Sequence, residues 1–391
     1  MGQGVGVRRI YFDYNATTPL DAGVRDVMVE ALELAWGNPS SVHALGRAAR
    51  DRLDDARYRL SGMWKCRPSE VVFTGGGTES NNLALLGTAR LKGAVGRHLV
   101  VSSIEHHAVL HAVEWLERHE GFEVTQVPVD AQGRVTVEAV LGAIRSDTVL
   151  VSVMAANNEV GTVQPVAEIG RACRERGVLF HCDAVQAFGK LPFDGMAGFE
   201  ADLVSVCAHK FHGPKGAGAL YVRSPLLPHP ILHGGGHENE RRAGTENLAA
   251  ILGLVEAFER CVMTPCFPER LRDWTGRLAR VVEGVPGVRV LGDRDGGLAN
   301  TLAFAVEDAD GITLLANLDL EGVCASSGAA CSAGSLEPSH VLKAMGLPAD
   351  QCRALVRLSL GRETTEEEVE AVAELLPEVI GRARGGAGVW T

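Results

Sequence analysis

A chain of 391 residues with 38 Lys and Arg against 49 Asp and Glu carries a formal net charge of −11, which argues against a broad binder of nucleic-acid backbone. Hydrophobic residues at 46% and charged residues at 22% give the balance of a soluble globular protein, and no apolar run approaches the roughly 20 residues of a membrane span. Nine cysteines without a C-x-x-C pair suit reduced thiols rather than a disulfide frame or thiolate zinc site, and MGQGVGVRRI lacks a signal-peptide apolar core, so the chain reads as cytoplasmic.

Taken in chain order, short apolar runs predict strands at 71–74, 98–102, 123–129, 148–154, 178–183, 202–208 and 218–222. Between them, apolar residues recur at helical spacing over 79–90, 108–120, 136–144 and 166–176. Alternating β and α predicts the α/β class, with a mostly parallel sheet wrapped on both faces. A helix over 246–261 then meets Pro265 and Pro268, which break its periodicity and mark the best domain boundary. Beyond it the pattern predicts helix 269–283, strands 288–291 and 300–306 and helix 310–319. After a Gly/Ser/Ala loop come helix 339–345, strand 355–360 and helix 365–380, which together make a smaller α+β unit.

Three features carry chemistry. Thr74-Gly75-Gly76-Gly77-Thr78-Glu79-Ser80 follows a strand and opens a helix, where glycines let backbone N–H groups approach an anion. It is neither a Walker A loop nor G-x-G-x-x-G, and alone it reads equally as a tight turn capped by Thr78. Asp183, with Gln186 beyond it, ends one strand, and Ala208-His209-Lys210 ends another. In a parallel sheet both would face one crevice with the glycine loop. A lysine there can form a Schiff base, and a carboxylate nearby can keep a pyridine nitrogen protonated; the combination points to pyridoxal phosphate. Cys331 lies in SSGAACSAGS (326–335), a run too small in side chain to bury much surface, so its thiol is expected to swing between crevice and solvent. Cys66, Cys173 and Cys352 read as buried, inert thiols. His209 with His212, and His181 with Cys182, raise a metal site, but no tetrahedral set emerges.

The strings DYNATTP (13–19), GNPSSVH (37–43), FTGGGTESNNLA (73–84), EHHAVL (105–110), NNEVGTVQP (157–165), HCDAVQAFGK (181–190), AHKFHGPKGAGALYV (208–222), HGGGHENERRAGTEN (233–247), SSGAACSAGSLEPSHVL (326–342) and VRLSLGR (356–362) resemble the cysteine desulfurases. These belong to the class V aminotransferase group of fold-type I pyridoxal phosphate enzymes, and the nitrogen-fixation and housekeeping iron–sulfur branch is nearest. The resemblance implies a large cofactor-binding domain over 15–261 and a small domain made of 1–14 with 262–391. It implies Lys210 as the cofactor lysine, Asp183 on the pyridine nitrogen, His106 stacked on the ring as an acid/base group, and Gln186 and Asn157 near the phenolic oxygen. Gly77, Thr78, Cys207 and His209 fall at phosphate positions, with Cys207 replacing the usual Ser or Thr. Thr245 would reach the phosphate from the other subunit of a homodimer. Arg357, assisted by Asn157, would hold the carboxylate of L-cysteine. Cys331 would receive sulfur as a persulfide for an acceptor protein, an iron–sulfur scaffold in this branch. No metal is implied beyond a transient iron–sulfur cluster that Cys331 would share with that partner.

Overall fold

The computed structural model describes residues 9–263, 268–327 and 338–385. After a short first strand, β1 (Ile10–Tyr11), two helices, Ala22–Leu34 and Ala44–Trp64, precede the region where strand periodicity begins. The seven predicted runs then form one sheet from β2 (Val71–Thr74), β3 (His98–Ser102), β4 (Glu123–Val127), β5 (Thr148–Ser152), β6 (Leu179–Asp183), β7 (Leu203–Cys207) and β8 (Gly218–Val222). Their order is β2-β8-β7-β6-β5-β3-β4. Strands β3 to β7 are mutually parallel, and β8 runs antiparallel to both β7 and β2. Strand β2 therefore points the same way as the parallel five, and the expected α/β class with a mostly parallel sheet holds.

Side-chain alternation explains why both faces of this sheet are covered. Val100, Val151, Phe180, Val204 and Val206 enter a core shared with the helices Ala44–Trp64 and Leu248–Cys261. Leu99, Val101, Leu150, Leu203 and Leu220 enter another with the helix His107–Glu120.

A second sheet, with its own core, is antiparallel in the order β12-β10-β9, formed by β9 (Val288–Leu291), β10 (Thr301–Val306) and β12 (Leu355–Ser359), while β11 (Val323–Cys324) pairs in parallel with β1. From β1 the chain continues as a strap between the two sheets. Asn15 N–H donates to Ser359 Oγ at 2.9 Å, and Thr18 N–H donates to the carbonyl of His209, just past β7, at 2.9 Å. Tyr14 packs against Gly361, where a Cβ would sit 2.0 Å from the ring, so only glycine permits this approach.

Candidate active site

Parallel strands release their chain at one edge, and here five of them release it around one cavity of about 200 Å³. Strand β2 supplies Gly77 and Thr78, β3 supplies His106 and His107, β5 leads to Asn158 and Glu159, β6 ends in Asp183, and β7 leads to Cys207, His209 and Lys210. The strap adds Asn15 and Ala16, and β12 adds Arg357.

The glycine loop is built for close approach. Gly76 has φ +150°, and a Cβ on Gly77 would meet Val185 at 2.9 Å and Cys207 at 3.3 Å. Gly75 N–H donates to Glu79 Oε2 at 2.7 Å and Arg242 Nε donates to Glu79 Oε1 at 2.8 Å, which fixes the turn. The helix Gly77–Asn82 runs on through a π-turn (Leu83–Gly87) into Thr88–Lys92, longer at both ends than predicted. Burial raises the Cys207 thiol, so it faces the loop as a neutral S–H. His209 lies beside Thr17 Oγ1 at 3.1 Å, and burial with the neighbouring lysines pushes it down to about 4, which makes it neutral at neutral pH.

Asp183 is oriented by two donors, Asn81 Nδ2 at 2.7 Å and the Val185 N–H at 3.0 Å. Lys210 Nζ donates to the carbonyls of Asn15 at 2.7 Å and Ala16 at 2.9 Å. Gln186 Nε2 donates to the same Asn15 carbonyl at 2.9 Å, so one backbone oxygen positions both side chains. His106 caps the helix His107–Glu120: its Nδ1 accepts from Ala108 N–H at 3.0 Å. That bond leaves the ring proton on Nε2, and burial lowers the imidazole's pKa, which favours this neutral form. Arg357 is 1% exposed; Nη1 donates to the Asn158 carbonyl at 2.7 Å and Nη2 pairs with Asp13 at 2.6 Å.

The structure thus brings Gly77, Thr78, His106, Asp183, Gln186, Cys207, His209, Lys210 and Arg357 to one cleft. Asn157 lies beside it and does not line it. Its Nδ2 donates to the Ile104 carbonyl at 3.0 Å, and its Oδ1 accepts from the N–H groups of Glu159 and Val160 at 2.8 and 3.0 Å, so the amide shapes the loop that presents Asn158. Thr245 is exposed and lines a different depression with Asn38, Ser40 and His237. Cys331 falls outside the described residues. Among the other cysteines, Cys173 and Cys352 are buried as expected, whereas Cys66 is only partly so, although burial still pushes its thiol up to about 12.

Sequence reasoning missed Asn15, Asn158, Glu159 and His340, all of which line the cleft. All four lie inside quoted strings, but nothing in their local spacing marks them as facing a cavity. His181, raised as a metal candidate, instead lies between Ser152 Oγ and Ser205 Oγ at 2.8 and 2.9 Å.

The donor set suits pyridoxal phosphate. Glycine-loop residues, a threonine hydroxyl, a neutral histidine, a fixed carboxylate and a primary amine line one cleft. Asn81 Oδ1, a buried acceptor without a partner, faces the same space.

The chain matches the class-V aminotransferase family over residues 10–372. It is 42% identical over 387 residues to cysteine desulfurase IscS of Clostridium botulinum, covering 98% of this chain and 97% of that one. It is 43% identical over 380 residues to cysteine desulfurase IscS of Methanosarcina thermophila, covering 96% and 93%. Among solved structures, a NifS-like protein superposes with a TM-score of 0.89 at 35% identity over 96% of this chain and all of that one. The structure of SspA in complex with cysteine superposes with a TM-score of 0.80 at 34% identity, covering 90% and 99%.

Proposed function

The chain belongs to the class-V aminotransferase family and, within it, to the cysteine desulfurases, and from that premise we propose a division of labour among its residues. Pyridoxal phosphate is the cofactor: Gly77, Thr78, Cys207 and His209 hold its phosphate, Asp183 its ring nitrogen, Gln186 its phenolic side and Lys210 its aldehyde carbon. When bound, it supplies the electron sink that lets the Cα–H of an amino acid ionise. The observation that carries this reading is the convergence of the Lys210 amine, the Asp183 carboxylate and the His106 imidazole on one cleft with Arg357 in its wall.

L-Cysteine is the substrate, its carboxylate held by the planar fork of Arg357, where Asp13 keeps the guanidinium aimed. The Lys210 amine takes the Cα proton. His106 moves a proton at Nε2, the only ring nitrogen not spent on the helix cap. Asn157 acts from behind by holding the Asn158 loop. The Cys331 thiolate attacks the substrate sulfur: an S–S bond forms, the C–S bond breaks with its electron pair left on the carbon side, protons are added at Cβ and returned at Cα, and the products are a persulfide on Cys331 and L-alanine. The sulfur passes to an acceptor protein, an iron–sulfur scaffold by analogy with the IscS relatives. The enzyme works in the cytoplasm as a homodimer, with Thr245 reaching the partner subunit's phosphate site. Residues 15–261 form the cofactor domain, and 1–14 with 262–391 the domain that carries Cys331.

Mass spectrometry after incubation with L-cysteine tests the assignment. One added sulfur is expected on the peptide containing Cys331, together with L-alanine in solution. Lys210→Ala should give neither, and Cys331→Ser should bind cysteine without acquiring sulfur. Normal alanine production by Lys210→Ala would overturn the reading.

A further inference from the structure

The cleft has a neighbour that the reaction does not use. A second cavity, about 180 Å³, shares Lys210 with the first. The strap lies between them: Asn15 and Ala16 line the first, Tyr14 and Thr18 the second. The charged residues in its lining are Lys190, Lys210 and Arg362, and no aspartate or glutamate is among them. Leu191, Phe211 and Leu271 supply apolar wall.

Lys190 is the anomaly. As an ammonium it has three N–H bonds, and Asn15 Oδ1 at 2.9 Å and Gln186 Oε1 take two of them. Lys190 also lines the cavity, where an occupant could accept the third. Burial holds the amine well below the ordinary lysine range, and the positive charges of Lys210 and Arg357 push it further down. The missing ingredient is a negative charge on the cavity side. Arg362 offers a second cation there, already half-satisfied: Nη2 donates to Asp21 Oδ2 at 2.6 Å and Nη1 to Cys261 Sγ at 3.3 Å.

We propose that this second cavity binds a small monocarboxylate with a short apolar body, its carboxylate between Lys190 and Arg362 and its hydrocarbon against Leu191, Phe211 and Leu271. A single charge fits better than two, because Asp21 has already claimed part of the Arg362 fork. The apolar walls disfavour inorganic phosphate, which has no hydrocarbon to bury. Because Lys190 also donates to Gln186, and Gln186 lines the catalytic cleft, an occupant would be felt there through one side chain. The residues that would hold the occupant, Lys190, Arg362, Leu191, Phe211 and Leu271, lie outside the cofactor assignment, although Lys210 also lines the cavity.

The test is calorimetric titration of the purified full-length protein with butyrate, and with butyramide as its uncharged counterpart. Butyrate should bind with a Kd of about 1 mM or tighter, and butyramide at least about tenfold more weakly. Lys190→Met should weaken butyrate at least about tenfold, and Leu191→Trp, which fills the cavity, should abolish binding. A second readout covers the case in which a variant fails to fold: Cys261 lines the same cavity, so butyrate should slow its alkylation by iodoacetamide in the wild-type protein, followed on its peptide by mass spectrometry. Equal binding of butyrate and butyramide, or an unprotected Cys261 at saturating butyrate, would overturn the proposal. So would loss of butyrate binding in a folded Arg357→Ala protein with retention in Lys190→Met, since the anion would then occupy the catalytic cleft.

Discussion

At His106 one ring serves both the helix cap and the cleft, so an alanine there changes two quantities at once. Asparagine separates them, because its side-chain oxygen is a good cap acceptor but no proton carrier. His106→Ala should lose about 1 kcal/mol of stability and at least about 100-fold in alanine formation. His106→Asn should lose the activity and keep the melting temperature. Next to it, Glu105 is buried and its carboxyl is raised to about 8 by burial, against the hydrogen bond from Ser102 and the Met154 N–H. An acid with a raised pKa is protonated in the fold where it would be ionised in the unfolded chain. Its contribution is therefore fully present below the ordinary glutamate value of 4.5 and is lost as pH rises through about 8. Melting curves across that window should show wild type losing stability with rising pH and Glu105→Gln losing less. Unchanged pH dependence in the variant would mean that the carboxyl is charged. None of this was legible beforehand: EHHAVL marks His106, but the depth of its glutamate depends on β5 packing over it.

Elements were legible where apolar periodicity was strong. All seven strands of the main sheet lie within the predicted runs, and the predicted ends at 129 and 154 overshoot because the chain stays apolar after it leaves the ladder, after β5 toward the cleft. The helices Ala22–Leu34 and Ala44–Trp64 went unpredicted. The second buries Gly46, Ala49 and Ala56 beside Leu53, Leu60 and Trp64, and small residues that permit close packing leave a weak hydrophobic signal. The first is capped by Asp21, whose Oδ1 accepts from Gly23 N–H at 2.8 Å. Burial opposes its ionisation, but the Arg362 hydrogen bond, the cap N–H groups and Arg260 outweigh it and hold the carboxyl at about 2. Asp21→Asn keeps a capping oxygen and removes the charge. It should cost about 2 kcal/mol near neutral pH, most of it through Arg362, because Arg260 is half-exposed. A depressed acid stabilises above its unfolded pKa and stops doing so as pH falls through its folded one. The gap between the two proteins in denaturant titrations should therefore close as pH falls through about 2.

On the scale of the whole molecule, the loop containing Thr245 is anchored at its other end. Arg57 pairs with the buried Glu238 at 2.5 Å, and Glu238 also accepts from Phe73 N–H at 2.9 Å. Glu238, Asn239 and Glu240 all adopt positive φ, so the segment is held in a costly conformation by that ion pair. Such a rigid base with an exposed tip suits a loop that completes a second subunit's site. Mixing inactive Lys210→Ala with an impaired Thr245→Ala variant should restore activity, because one site in each hybrid would be wholly wild type. Recovery absent from confirmed hybrids would refute the shared site.

The strap between the two sheets has a consequence for how the protein is made. Asp13 and Asn15 leave the ribosome well before their partners Arg357 and Ser359, which lie 344 positions later in the chain. At about 5–20 residues per second the N-terminal stretch waits roughly 20–70 s for them. During that interval the Asn15 carbonyl, which positions Lys210 and Gln186, lacks the contacts that fix its own place. The seven-stranded sheet can form during synthesis, but the cleft cannot be finished until Arg357 and Ser359 have emerged. A nascent chain stalled before residue 357 should therefore be folded over its main sheet and unable to retain cofactor.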